Sequence, residues 1–169
     1  MPVDKSVIGS CVGVRRVVVE RGPVAVFAEA VTDGDPIYRD AGAAAEAGFE
    51  SIPVPPTFPA VMEHWGSFAE MQPESTAVRP VFGELFGPLL ERGGLLLHGE
   101  EELEYFAPVC VGDVLSGESF IRDVYEKVSG DYTMTFVITE TLWTNEKRHE
   151  PAVAVRSNTL VRTRSTPSP

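Results

Sequence analysis

Two hydrophobic rhythms divide the chain near residue 93. Beyond it, apolar and polar positions alternate. Over 131–143, Tyr132, Met134, Phe136, Ile138 and Leu142 fall on one side, and Thr133, Thr135, Thr139 and Thr141 on the other. Successive side chains of an extended chain point to opposite faces, so this run predicts a long, half-buried strand whose apolar face needs a cover. Leu95, Leu97, Leu103 and Tyr105 alternate in the same way with His98, Glu100, Glu102 and Glu104, and 113–127 and 152–162 read as weaker strands. Turn residues separate these runs at Gly112-Asp113, at Gly130-Asp131 and across 145–151. Connections that short between long strands imply antiparallel hairpins.

Before residue 93 the spacing is helical. A short strand over 14–19 leads to Gly22-Pro23, where Pro suits a first helical position, and Val24, Phe27, Ala30 and Val31 then share one face of a helix over 23–31. Asp33-Gly34-Asp35-Pro36 is turn chemistry that ends it. Asp40 caps a short alanine helix closed by Gly48 at its C′ position. A third helix follows, with Thr57 as N-cap and Pro59 in its first turn. Phe58, Val61, Met62, Trp65, Phe68 and Ala69 form its wide apolar stripe, opposite Glu63, His64, Gly66 and Ser67. At ~25 cal/mol per Å² and ~150–250 Å² per aromatic, Phe58, Trp65 and Phe68 represent several kcal/mol of burial. Residues 72–94 read as a partly helical flap carrying Phe82, Leu85, Phe86, Leu89 and Leu90. One strand array with a face to cover and one helix with a stripe to bury predict an α+β fold. In it a long antiparallel sheet wraps the third helix, the hotdog arrangement.

Composition narrows the function classes. The 169 residues suffice for one domain, expected over 1–164 with a frayed tail over 165–169, and 43% hydrophobic residues supply a full core. A formal charge of −11 with no basic stripe argues against nucleic acid as a partner. No apolar run approaches a membrane span and no secretory segment is read at the N-terminus. With Cys11 and Cys110 outside any paired motif, a cytoplasmic protein is expected. His64 and His149 read as solvated, while His98, at the start of a strand, is the histidine most suited to line a pocket. No histidine pair has metal-ligand spacing, so no metal site is expected, and no phosphate loop or nucleophile elbow calls for a cofactor or a serine hydrolase mechanism.

The order of elements resembles the hotdog hydratase/dehydratase family of the MaoC type, in particular its FAS1-like N-terminal half. Several stretches carry the resemblance. They are Phe27-Ala28-Glu29-Ala30-Val31-Thr32-Asp33-Gly34-Asp35-Pro36-Ile37-Tyr38, Pro53-Val54-Pro55-Pro56-Thr57-Phe58-Pro59, Leu97-His98-Gly99-Glu100-Glu101-Glu102-Leu103-Glu104-Tyr105, and Pro108-Val109-Cys110-Val111-Gly112-Asp113-Val114-Leu115. Active members of the family carry Gly-Asp-x-Asn-Pro-Ile-His after the first helix. Position by position, Thr32 stands for the Gly, Asp33 for the Asp, Asp35 for the Asn, Pro36 for the Pro and Tyr38 for the His.

In the family the Asp and His act together on the water that adds to a 2-enoyl thioester. Histidine suits that work because it titrates near neutrality, whereas an ordinary tyrosine titrates near ~10 and seldom acts as a base. The resemblance therefore implies a (3R)-hydroxyacyl-thioester dehydratase or enoyl-thioester hydratase subunit of the non-catalytic type, with Asp33 and Tyr38 at the family's catalytic positions. It implies that Phe58, Met62, Trp65 and His98 contact the acyl chain of an acyl-CoA or acyl carrier protein thioester. It also implies a homodimer, or a heterodimer with a second hotdog subunit holding the Asp/His pair. CoA and carrier protein are acidic, so Arg79 and Arg92 are the candidate phosphate contacts. Two rival readings are a hotdog acyl-CoA thioesterase and a non-enzymatic acyl-CoA-binding scaffold.

Overall fold

The computed structural model describes residues 4–65 and 81–165. Five strands form one antiparallel sheet in the order β1-β3-β4-β5-β2, with β1 Cys11–Val18, β2 Leu95–Tyr105, β3 Val114–Ser129, β4 Tyr132–Asn145 and β5 Glu150–Arg164. The helices are α1 Arg21–Ala30, α2 Ala41–Glu46, α3 Pro59–Trp65 and α4 Val81–Glu91. The α+β class and the hotdog arrangement hold. Phe58 and Met62, at 1% and 0% exposure, pack with Val17, Leu115, Trp143, Val153 and Val155 from four strands. A second cluster seats α4 through Phe86, with Phe82, Leu85 and Leu89 beside it, on Ile121, Val124, Val137 and Val161. α4 is the helical part of the expected flap; the earlier part of that flap, with Phe68 and Ala69 of the third-helix stripe, lies outside the described residues. Both cysteines are free thiols. Among the described residues, no helix is long and apolar enough to cross a membrane.

Element boundaries differ from expectation for local reasons. β1 begins at Cys11, ahead of residue 14, because pairing with β3 extends it past an irregularity between Cys11 and Gly13. α1 begins at Arg21, so Pro23 sits in the first turn, where a missing N–H costs nothing. α3 begins at Pro59, which makes Phe58 rather than Thr57 the preceding position. Pro suits that first helical position because its fixed φ is already helical.

The larger correction concerns β4. Its covered face holds Thr135, Val137, Thr139, Thr141 and Trp143, not the Met134, Phe136, Ile138 and Leu142 face. Register across the sheet decides this, since Val137 lies opposite Val124 and Thr159, and Trp143 opposite Gly117 and Val153. The aliphatics of β3 and β5 thus share the side that α3 and α4 cover. The buried threonine Thr141 shares a hydrogen bond of 2.7 Å with Ser119. The outward apolar residues are sheltered instead by each other, with Tyr125 stacked on Phe136 at 4.7 Å between ring centroids.

A second correction lies in β2. An irregularity between His98 and Glu100 shifts the pairing with β5, so His98 lies opposite Thr159 and Glu100 opposite Asn158. Thr159 and Asn158 are adjacent residues of one strand, so His98 and Glu100 point to opposite faces. His98 thereby joins Glu101, Leu103 and Tyr105 on the side facing the helices.

Candidate functional site

α1 ends in a Schellman motif. The Thr32 N–H donates to the Glu29 carbonyl at 3.0 Å and the Asp33 N–H to that of Ala28 at 2.9 Å, with Thr32 at φ 58°. This is the position where glycine is favoured, because a Cβ crowds the backbone in the left-handed region. α2 ends in the same bonding pattern with Gly48 at φ 91°. The position that the resemblance aligns with the signature glycine is thus a helix C′ residue in this chain, and a β-branched residue occupies it.

Beyond Thr32 the chain is held by its own polar groups. Asp33 Oδ1 accepts from the Asp35 N–H at 3.1 Å, and Asp35 Oδ1 accepts from the Ile37 N–H at 3.0 Å. Asp35 thus caps a single 3-10 turn, Pro36–Tyr38, with Pro at its start. The Arg39 guanidinium donates to the Asp33 carbonyl at 3.1 Å, and that of Arg21 to the Arg39 carbonyl at 2.9 Å. The turn delivers Tyr38, 8% exposed, to the wall of a cavity of about 380 Å³. Ile37, Phe49, Val54, Phe106 and Val109 line the cavity with Tyr38 and Tyr105.

The electrostatics give this site little capacity as a base. Burial raises the Tyr38 phenol above its ordinary value, and the carboxylates of Asp33 and Asp35 raise it further. Tyr105 is raised by burial and then by Tyr38, and its hydroxyl donates to the Pro56 carbonyl at 3.0 Å. Both phenols hold their protons at neutral pH, so neither abstracts a proton. One carboxylate oxygen of Asp33 is already committed to the turn.

The expected site residues do not converge on this cavity. Phe58 and Met62 lie in the core and are not among its lining residues. His98 lines a separate cavity of about 470 Å³ with Arg15, Glu101, Ser119 and Thr139 on the inward face of the sheet. Arg92 is exposed, donates to the Pro88 carbonyl at 2.9 Å, and borders a third hollow beside Glu84 and Glu126. Arg79 and the side chain of Trp65 fall outside the described residues. Sequence reading missed the part played by Tyr105, whose signal is a tyrosine closing an otherwise acidic strand, next to the Phe106-Ala107-Pro108 exit.

Comparison with known proteins gives the same fold and places the chain among its relatives. A UPF0336 protein of Thermobifida fusca is 28% identical over 117 residues, covering 69% of this chain and 68% of the relative. The truncated HadBC complex of Mycobacterium tuberculosis, a (3R)-hydroxyacyl-ACP dehydratase, superposes with a TM-score of 0.67 at 18% identity, covering 95% of this chain and 99% of that one. The ChsH1–ChsH2 complex of the same organism gives 0.67 at 22% identity, covering 92% and 84%. A family model for the FAS1-like dehydratase domain region matches residues 6–154, and the chain belongs to that family.

Proposed function

We propose that the chain is the acyl-binding half of a (3R)-hydroxyacyl-thioester dehydratase or enoyl-thioester hydratase, working with a second hotdog chain that carries the Asp/His pair. One observation carries the reading: the signature histidine position holds Tyr38, buried in the wall of an apolar cavity with its proton more tightly held than usual. A buried phenol beside two aspartates donates a hydrogen bond and excludes water, but it does not activate water. The apolar lining from Ile37, Phe49, Val54 and Val109 offers an alkyl chain a dry wall. Likeness to two proteins solved as two-subunit complexes supports a divided site.

The test is hydration of a 2-enoyl-CoA by the pure chain and by the chain co-expressed with a hotdog partner bearing an intact Asp-x-Asn-Pro-x-His segment. Turnover is expected only with the partner, and Asp33→Asn in this chain is expected to leave it within about two- to three-fold, as for a group outside the reacting pair. Robust turnover by the chain alone, abolished by Asp33→Asn, would overturn the assignment. Release of free CoA thiol from saturated acyl-CoA would point to a thioesterase instead.

A further inference from the structure

We infer that the outer face of the sheet, at the end bearing the β3–β4 hairpin, docks a short acidic amphipathic helix of another protein. Strand register assembles the surface. Tyr125 lies opposite Phe136, and Phe136 opposite Leu160; two residues further out, Lys127 lies opposite Met134, and Met134 opposite Arg162. Tyr132 and Arg164 form the last pair. These positions point away from α3 and α4, because along β4 they alternate with the covered Thr135 and Val137. Lys127, Arg162 and Arg164 are exposed, and Tyr125, Tyr132, Met134 and Phe136 are half-buried. The patch is remote from the cavity at Tyr38. β2 runs from Leu95, opposite Arg162, to Tyr105 in that cavity wall, and a strand of that length spans roughly 33 Å. Docking here is therefore a contact apart from the acyl-binding wall.

Charge identifies the occupant. The chain carries −11 overall, yet this end of the outer face is basic. Among the described residues, Lys127, Arg162 and Arg164 form no ion pair. Two of them lie over aromatic rings instead. Lys127 Nζ stands 5.4 Å from the ring centroids of both Tyr125 and Phe136, and the Arg162 guanidinium 4.8 Å from that of Tyr132. A ring occupies one side of a cation, so the N–H groups on its other side remain able to donate to a carboxylate. The neighbouring Glu126 does not neutralise them, since it points to the opposite face, where the Thr135 hydroxyl donates to it at 3.4 Å. Further along the same outer face the sign reverses. Glu102, Glu118 and Glu140 stand there, with Arg122 and Arg156 bridging Glu140, and Arg156 also reaching Glu102. That reversal sets the size of the occupant, because a flat anionic bilayer would also meet those glutamates. Three strands about 4.8 Å apart give the basic end a width of about 10 Å, and Phe136 to Tyr132 a length of about 14 Å. A helix about 10 Å across covers it in two to three turns. Its apolar stripe meets the rings and Met134, and flanking Asp or Glu residues meet the three cations. A contact of that size suits a transient partner.

The probes are two labelled peptides of about 18 residues, long enough to form helix on their own. Both carry a leucine stripe, flanked by glutamates in one and by lysines in the other. Fluorescence anisotropy against the full-length protein reads their binding. At about 50 mM salt the glutamate peptide is expected to bind roughly ten-fold more tightly than the lysine peptide, and the preference is expected to collapse at about 500 mM salt. Lys127→Glu with Arg162→Glu, both at exposed positions, is expected to reverse the preference. Should circular dichroism show that variant unfolded, Lys127→Gln with Arg162→Gln takes its place and is expected to bind the glutamate peptide several-fold more weakly. Equal binding of the two peptides would overturn the inference, as would a preference that the substitutions leave unaltered. Co-sedimentation with phosphatidylserine vesicles, tighter than binding of the glutamate peptide, would overturn it in favour of a lipid surface. Both substitutions are expected to leave hydration in the presence of the partner unchanged, so failure of either reading is seen without the other.

Discussion

Thr32→Gly is expected to stabilise the protein, and Gly48→Thr to destabilise it, although both residues perform the same task. Each occupies the C′ position of a Schellman motif, at φ 58° and 91° respectively. A non-glycine residue in the left-handed region carries a penalty of roughly 1–2 kcal/mol from its Cβ. Glycine avoids that penalty but gives up about 0.5–1 kcal/mol of extra chain entropy on folding. Thr32 is exposed, so removing its side chain forfeits no packing, and the two backbone bonds of the motif remain. The net gain for Thr32→Gly is then about 0.5–1 kcal/mol. For Gly48→Thr no atom stands within 4 Å of the new Cβ, so the loss, again about 0.5–1 kcal/mol, comes from the backbone alone. Urea unfolding with an m-value of about 2 kcal/mol/M turns each change into a midpoint shift of about 0.2–0.5 M, in opposite directions. A neutral or destabilised Thr32→Gly variant with an unchanged m-value would refute the reasoning, since nothing else differs at that position.

Two further outcomes are expected. A Cβ at Gly117 would lie 2.7 Å from Trp143 Cε3 and 2.8 Å from Cζ3, so Gly117→Ala overpacks the core. It should cost about 1–3 kcal/mol, with part of the loss recovered in a Trp143→Phe background, as read by a double-mutant cycle in urea. Tyr38 and Tyr105 hold their protons more tightly when folded than the ordinary value of 10.0. Their contribution is therefore complete below that value and is lost as pH rises through their higher folded-state values. Alkaline unfolding followed beside phenolate absorbance should show this loss, and Tyr105→Phe should flatten it; an unchanged alkaline limb would contradict the burial of that hydroxyl.

The fold was legible where a local period had one interpretation. Phe58, Val61 and Met62 recur at helical spacing, and no extended chain brings them to one side. The sheet was equally plain from the alternation along 131–143. What that alternation did not tell was which face turns inward. Counting apolar residues favours Phe136 and Ile138, but the choice belongs to the whole sheet, and Leu115, Ile121, Val153 and Val155 on the neighbouring strands outvote them. The irregularity at Gly99 is likewise invisible to a period of two, and it carried His98 away from Glu100 and onto the inner face. Gly48 announced its helix end because glycine is the expected residue there. Thr32 gave no such sign, and only the family signature marked its place. The juxtaposition of Tyr38 with Tyr105 needed the fold itself, since one comes from a turn and the other from the end of an outer strand.

The loop from Thr32 to Tyr38 is held by its own polar groups, with Thr32 and Tyr38 where the resemblance expects a glycine and a histidine, so its shape does not depend on those two residue types. Shape comes from the retained residues: Asp33 closes one turn, Asp35 caps the next, Pro36 starts it, and Arg39 and Arg21 hold the backbone carbonyls. A phenol beside two carboxylates, its proton held more tightly than usual, does not act as a base at neutral pH. Strain at Thr32 shows that these polar contacts are strong enough to hold the left-handed turn against its steric cost. What persists is a wall, and its position matters. Tyr105, at the end of the outer strand β2, and Phe106 just beyond it line the same cavity as Tyr38. The cavity thus draws on a turn that follows α1 and on the end of an outer strand, which is why neither element by itself reveals it.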